Sequence, residues 1–339
     1  MVETENIENH IPLSNNALVR KFLRIDFPLE QHLSEATLQP GKTYTIPFSF
    51  ITPSHIPVQM CQHPCANATL YNEHLQLPPS LGRSPYYKST HDMTPNEASI
   101  SYSINFAVLR KYAKCSTLKQ LHESIYPIYI FPTHSETAPL FISPMNKYYK
   151  LRTAKTLRKG VLRSNLGSLI LATAQPPAIE LSTPQPRQHA GTTLRLHLRF
   201  EPKTAEQPPP RMVSSDIKLK VMTFFGMETW RDYPDQTGPA TWGPRQAYWS
   251  EGMPLCSEKY VLDWKLQKSE RNTGEGLFYF ASLDIAVALP ESRVYPPTFH
   301  SCFLSRTYAF KMALSYRDHE KAKGCSSACL VVPVQICVL

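Results

Sequence analysis

Two cysteines and two histidines in one short stretch are the residues of this sequence best suited to hold a metal ion. The string Cys61-Gln-His63-Pro-Cys65 is followed by His74. Zinc is held by cysteine sulfur and histidine nitrogen, commonly as pairs of closely spaced ligands. Cys325 and Cys329 could form a distant second pair, but the resulting spacing matches no standard zinc finger. We therefore favour the interpretation of loop residues with a buried thiol, and we predict no metal and no cofactor; a zinc site is the alternative.

A run of cations without acidic residues is the strongest candidate for a binding site. Ammonium and guanidinium groups hold phosphate through charge-assisted hydrogen bonds. Phosphorylated peptide tails and anionic lipid head groups are therefore the expected ligands. The alternative is a solvated linker followed by the polar face of a strand. The candidate anion-binding residues are Lys147, Lys150, Arg152, Lys155, Arg158, Lys159 and Arg163.

Signatures of the common enzyme classes are missing from the sequence. It contains no Gly-x-Ser-x-Gly string, no Walker loop and no dinucleotide-binding fingerprint. His122-Glu123 begins a string like that of zinc proteases, but position 126 is Tyr126. A cysteine nucleophile whose histidine partner is distant in sequence stays open. We predict that the chain is not an enzyme.

Composition favours strands over helices. The 339 residues include 31 prolines and only 12 glycines, whereas average usage is about 5% proline and 7% glycine. Proline interrupts helices, so a helical bundle is disfavoured, and scarce glycine disfavours the nucleotide-binding folds. With 15 Phe, 17 Tyr and 4 Trp, the chain is too aromatic for general disorder. The net charge of +9 permits anionic partners without selecting among them.

Apolar and polar residues alternate in many segments, which is typical of half-buried strands. Leu18–Leu33 shows a weak helical periodicity that Pro28 interrupts. Many strands joined by proline-rich connectors indicate β-sandwich architecture. The alternating segments are 44–50, 100–108, 194–200, 217–221, 283–289, 308–316 and 330–338.

Ordered strings along the chain resemble the fungal arrestin-like proteins, which are related to the alpha-arrestins. In the first half they are Gly41-Lys-Thr-Tyr-Thr-Ile-Pro-Phe-Ser-Phe50, His74-Leu-Gln-Leu-Pro-Pro-Ser-Leu-Gly82 and Ile100-Ser-Tyr-Ser-Ile104. In the second half they are Leu157-Arg-Lys-Gly-Val161, Lys218-Leu-Lys-Val-Met-Thr-Phe-Phe225, Pro297-Thr-Phe-His-Ser-Cys302 and Ser305-Arg-Thr-Tyr308. The resemblance covers roughly residues 20–339. It implies an all-β fold of two tandem arrestin-like, immunoglobulin-type β-sandwiches, expected at residues 1–140 and 141–339.

The resemblance also implies a function, with two departures from the family pattern. The family's members act as cytosolic adaptors that bind membrane-protein cargo, and some recruit a HECT-type ubiquitin ligase through a Pro-Pro-x-Tyr motif. This sequence has no such motif, so any ligase recruitment is expected to be indirect. Only about 20 residues precede the segment at Arg20–Leu33, so the amino-terminal sandwich is expected to be incomplete. A truncated arrestin-fold scaffold or regulator without cargo is therefore the alternative.

The remaining expectations concern location and other partners. The amino terminus is acidic and polar, which is not typical of a secretory signal, and the eight cysteines are too sparse for a disulfide scaffold. No apolar run approaches the roughly 18 residues of a transmembrane helix. We expect a cytoplasmic protein with free thiols, peripheral at the plasma membrane or endosomes when it binds cargo. Nucleic-acid binding lacks a supporting motif, and we predict none.

Overall fold

The structure is a computed structural model that describes residues 2–4, 6–7, 18–27, 39, 41–83, 91–111, 118–159, 164–182, 190–271, 274–317 and 326–339. Antiparallel strands dominate it, which confirms the all-β prediction. In the described residues the only α-helix is α1 (Ala68–Leu75). In chain order the strands are β1 (Val2–Thr4), β2 (Asn6–Ile7), β3 (Leu18–Val19), β4 (Tyr102–Lys111), β5 (Leu118–Ile128), β6 (Arg152–Lys159), β7 (Ser164–Thr173), β8 (Ile179–Leu181), β9 (Gly191–Pro202), β10 (Met212–Gly226), β11 (Gln246–Val261), β12 (Lys265–Arg271), β13 (Gly274–Ala288), β14 (Phe299–His300), β15 (Leu304–Arg317), β16 (Ser326–Val334) and β17 (Ile336–Val338).

The chain divides into two compact units that are not continuous in sequence. Unit 1 consists of Met1–Pro132, Phe225–Arg231 and His300–Leu304. Unit 2 consists of Thr133–Phe224, Asp232–Phe299 and Ser305–Leu339. Two short segments from the carboxyl-terminal half therefore belong to unit 1. Composition and periodicity did not indicate this. The predicted sandwich limits 1–140 and 141–339 stay a prediction.

A five-stranded sheet of unit 2 has the order β12-β13-β9-β7-β6. Its central strand β9 alternates as predicted, and Leu194, Leu196, Leu198 and Phe200 are fully buried. β9 pairs antiparallel with β13 on one side and with β7 on the other. Because β6 and β12 end this order, each is an edge strand. The sheet therefore has two edge strands, β6 at one end and β12 at the other.

A second five-stranded sheet contains the long strands β10, β11 and β15. Its order is β11-β10-β15-β14, and β16 also pairs with β15. The predicted alternation at 217–221, 308–316 and 330–338 lies on β10, β15, β16 and β17, whose inward residues are buried. β17 pairs in parallel with β8. These segments confirm that period-two alternation was a sound guide to the strands of the second half.

Unit 1 departs from the sequence prediction in two places. β4 and β5 form a three-stranded sheet with β1, which confirms the strand predicted at 100–108. Residues 42–50, however, form no strand, so that prediction is wrong. Pro47 cannot donate a ladder hydrogen bond, and the rings of Phe48 and Phe50 pack on Phe27 at 6.3 and 6.1 Å.

The sequence disfavoured a helix at Leu18–Leu33, and no helix covers residues 18–27. Residues 28–33 lie outside the described residues. Helix α1 was not predicted. Its signal is Asn67, whose side-chain oxygen accepts a hydrogen bond from the Leu70 backbone N–H at 2.8 Å, as an N-cap residue does. No helix in the described part of the chain is long and apolar enough to cross a membrane.

Candidate functional sites

The structure brings Cys61, His63, Cys65 and His74 into one cluster within unit 1. Each offers one metal-ligating atom, and the four atoms all lie within 4.8 Å of one another. Cys61 and His74 are buried, whereas His63 and Cys65 are partly exposed. We call these four residues the Cys/His cluster. It needs no contribution from Cys325 or Cys329, since Cys329 lies on β16 and Cys325 lies outside the described residues.

The local backbone explains why the four side chains converge. Cys61, His63 and Cys65 are spaced by two in a segment with no helical structure, and in extended chain every second side chain points to the same face. A second element, the capped helix α1, carries His74 in its last turn. The sequence pointed to all four residues, but the favoured interpretation was loop residues with a buried thiol. The missed signal was the combination of period-two spacing with a helix start at Asn67.

Hydrogen bonds hold both parts of the cluster to the rest of unit 1. The Ile56 backbone N–H donates to the Leu75 carbonyl at 2.8 Å, which joins the segment before the cluster to the end of α1. The Ala66 N–H donates to the Arg231 carbonyl at 2.8 Å. The Cys302 thiol lies 3.9 Å from the Met60 carbonyl oxygen. Contacts of the residues next to the ligating ones therefore hold both parts of the cluster in place.

The cluster is closely spaced in detail. Cys61 Sγ lies 3.5 Å from His63 Nε2 and 3.9 Å from His74 Nδ1. Cys65 Sγ lies 3.6 Å from His74 Nδ1 and 4.0 Å from His63 Nδ1. Both cysteines are free thiols. The two sulfurs thus face both imidazole rings, as in a compact four-ligand site.

Burial decides the charges of the cluster in the absence of a cation. It lowers the pKa of His74 to about 3, with smaller contributions from His63 and His300. It also lowers the pKa of His63, which Arg20 and Arg231 disfavour further as a cation. Burial and the neighbouring Cys61 raise the pKa of the Cys65 thiol to about 11. Near neutral pH the rings are neutral, which is the form that binds metal ions.

The basic candidate residues lie on and before the edge strand β6 of unit 2. Lys147 and Lys150 precede the strand, and Arg152, Lys155 and Arg158 lie on it, all with exposed side chains. Lys159 ends the strand, but its side chain lies outside the described residues, as does the whole of Arg163. No salt bridge to a carboxylate involves the five exposed cations within the described ranges. We call these five residues the basic edge.

Buried neighbours hold the basic edge in place. Thr153 and Leu157, two residues to either side of Lys155 along the strand, are buried. The strand is preceded by Asn146, whose side-chain oxygen accepts hydrogen bonds from the backbone N–H groups of Tyr148 and Tyr149 at 2.8 Å each. The Tyr149 hydroxyl donates to the buried Asp235 carboxyl at 2.6 Å. The lead-in is therefore anchored rather than a solvated linker, and a strand with exposed cations follows it, as the alternative interpretation also expects.

Comparison with known proteins adds no family to these observations. Neither the models of protein families nor the curated proteins include a match to this chain.

Proposed function

We propose that this chain is a non-catalytic, cytosolic adaptor of the arrestin-like type that binds phosphorylated tails of membrane-protein cargo. The basic edge is the observation that carries the proposal. It presents five exposed cations on a strand and its lead-in, and clustered ammonium and guanidinium ions bind phosphate through charge-assisted hydrogen bonds. The all-β architecture and the ordered sequence strings are consistent with this type of protein.

An edge strand suits this function because it can bind a peptide in two ways. Within the described residues, β6 pairs only with β7 along its length, although Lys150 just before it pairs with Val331. The outer backbone groups of an edge strand can pair with an added strand. Exposed cations beside it would then select a phosphorylated sequence. Recruitment of a HECT-type ligase would be indirect, because no Pro-Pro-x-Tyr motif exists.

The fold that we propose for this adaptor is a pair of tandem immunoglobulin-type sandwiches, the amino-terminal one incomplete. One observation favours the alternative function, a truncated scaffold or regulator without cargo. Residues 42–50 form no strand, and Phe48 and Phe50 instead line an apolar cavity of about 210 Å³ with Ile104 and Ile128 of β4 and β5. The described part of unit 1 thus has a three-stranded sheet, smaller than the two five-stranded sheets of the chain.

A binding assay with the full chain tests the proposal. Fluorescence anisotropy would compare a multiply phosphorylated peptide, its unphosphorylated form, and vesicles with or without phosphoinositide. The double variant Lys155→Glu/Arg158→Glu should lose phosphopeptide binding. The matched control is Lys265→Glu/Lys268→Glu, which reverses two exposed cations on β12, the opposite edge of the same sheet.

Each outcome of this assay is informative. Loss of phosphopeptide binding in the β6 variant but not in the β12 variant supports the adaptor function. Binding to phosphoinositide vesicles alone would replace peptide cargo by a lipid ligand. Equal losses in both variants would indicate non-specific charge attraction, and no binding by the unmodified chain would favour the scaffold without cargo.

A further inference from the structure

The spacing of the Cys/His cluster matches that of a tetrahedral metal site with two sulfur and two nitrogen ligands. Zinc–sulfur bonds of about 2.3 Å and zinc–nitrogen bonds of about 2.0–2.1 Å place sulfur and nitrogen about 3.6 Å apart in a regular tetrahedron. The corresponding distances are 3.5 Å from Cys61 to His63, 3.9 Å from Cys61 to His74 and 3.6 Å from Cys65 to His74. Small movements of side chains would complete the coordination.

A second contact orients the His63 ring for this role. His63 Nδ1 lies 3.2 Å from the Pro64 carbonyl oxygen. A carbonyl oxygen only accepts hydrogen bonds, so this contact assigns the proton to Nδ1 and leaves the lone pair on Nε2. That nitrogen is the one 3.5 Å from Cys61 Sγ. A ligating histidine commonly donates its other N–H to a carbonyl in this way.

His74 presents Nδ1 to both sulfurs from inside the protein. Its side chain is fully buried, and its Nε2 has no hydrogen-bond partner among the described residues. Without a metal, its Nδ1 can form only weak hydrogen bonds with the two cysteine sulfurs. Two thiolates with a divalent cation and two neutral imidazoles form a group without net charge. Such a group is far less costly to bury than a single ion.

The obvious competing role, a cysteine nucleophile activated by histidine, is less consistent with the cluster. A nucleophile–base pair needs only one cysteine and one histidine. The second cysteine and second histidine would have no part in a nucleophile–base pair. All four groups are used only when they surround one cation.

We propose that Cys61, His63, Cys65 and His74 bind one Zn²⁺ ion in a structural site. Two cysteine sulfurs and two imidazole nitrogens are the ligands typical of zinc. Four protein ligands leave no open coordination position for a substrate, so the ion acts as a cross-link. It fastens the segment 61–65 to helix α1 within unit 1. This site is independent of the proposed adaptor function and of the basic edge.

Metal analysis of the purified full chain tests the site directly. Mass spectrometry of the metal content should find one zinc ion per chain after expression in zinc-supplemented medium. Exchange with Co²⁺ should give the visible absorption of tetrahedral cobalt together with a thiolate-to-cobalt charge-transfer band. The Cys65→Ser variant should bind zinc at least about 100-fold more weakly, since even loss of a second-shell partner costs 10–100-fold.

The control variant is Cys256→Ser, which removes a half-buried thiol on β11 outside the cluster. It should keep full zinc content and the complete cobalt spectrum. The cobalt spectrum of the unmodified chain tests the site even if Cys65→Ser does not fold. Folded protein without stoichiometric zinc, a cobalt spectrum without the thiolate band, or equal loss of zinc in both variants would overturn the proposal.

Discussion

The residues of the Cys/His cluster and of the basic edge were both noted in the sequence, but in the structure the two sites differ in burial and in compactness. The basic edge is an open set of exposed cations whose binding capacity depends on charge. The cluster is compact and partly buried, and its ability to bind a metal ion depends on how closely its four ligating atoms match the coordination geometry. Charged residues can be counted along a sequence, whereas the distances between metal-ligating atoms depend on the fold. The sequence therefore favoured the basic segment, although the more specific geometry belongs to the cluster.

Removal of one cluster ligand should give the largest effect on stability. Structural zinc contributes on the order of 10 kcal/mol of folding free energy in small zinc domains, so His74→Ala should markedly lower the melting temperature of the zinc-loaded chain. A zinc chelator should destabilise the unmodified protein but have little further effect on the variant.

The control for this prediction is His122→Ala, which removes an exposed histidine on β5 in unit 1. It should respond to the chelator like the unmodified chain. If the chelator leaves the melting temperature of the unmodified chain unchanged, the cluster does not hold a stabilising metal ion.

The stability contributed by a buried carboxyl in unit 2 should depend on pH in the opposite direction to the stability contributed by the Cys/His cluster. Burial raises the pKa of Asp235 from 3.8 to about 6, and the hydrogen bond from Tyr149 opposes this shift. The folded state therefore binds more protons than the unfolded state between these values, and stability falls as pH rises through this window. The full change is roughly 3 kcal/mol for a shift of this size. The stability that zinc contributes should instead fall as the pH is lowered, because acid protonates the zinc ligands and releases the ion.

Urea unfolding at a series of pH values, with chelator present to remove the metal contribution, measures this effect. In Asp235→Asn the slope between pH 4 and 6 should largely disappear. The variant Asp216→Asn, which changes an exposed carboxyl on β10, is the control. An unchanged slope in Asp235→Asn would assign the pH dependence to other groups.

A backbone change beside β6 should disturb the basic edge without changing its charge. Gly167 lies opposite Leu157 where the register shifts between Leu157 and Arg158. Its φ is +144°, and an added Cβ would lie 2.3 Å from the Glu201 carbonyl oxygen. Gly167→Ala should cost at least roughly 1–3 kcal/mol, the range for a strained backbone conformation, and should weaken phosphopeptide binding.

Gly252→Ala on β11 is the matched control, because nothing lies within 4 Å of its added Cβ. Chemical unfolding and the anisotropy assay would measure both variants. Unaltered stability of Gly167→Ala would show that the strand pair tolerates a changed register at the basic edge.

Salt should distinguish the two regions with little effect on the fold. Screening shortens the Debye length from about 10 Å at 0.1 M to about 3 Å at 1 M ionic strength. Phosphopeptide affinity should fall steadily across this range, while zinc content stays constant because the ligands contact the ion directly. Titrations at several salt concentrations, with metal analysis of each sample, measure both. Salt-independent peptide affinity would contradict an electrostatic role for the basic edge.

Period-two alternation predicted much of the fold, because a residue's side in a strand is decided locally. Strands β9, β10, β13, β15 and β16 lie where Leu194–Phe200 and the later alternating segments placed them. The same pattern failed at 44–50, where Pro47 and the packing of Phe48 and Phe50 on Phe27 replace strand pairing. Helix α1 was missed because its short sequence has little helical periodicity, and only the cap at Asn67 marks its start.

By itself, the sequence determined the strand-rich class of this protein, the positions of most strands in its second half and the location of its densest positive charge. These properties follow from side-chain polarity and spacing, which act over a few neighbouring residues. Only the tertiary structure decided that His74 of α1 meets Cys61, His63 and Cys65, and that β6 is an edge of its sheet. Both depend on contacts between segments distant along the chain, and burial and hydrogen bonding across the whole unit select those contacts.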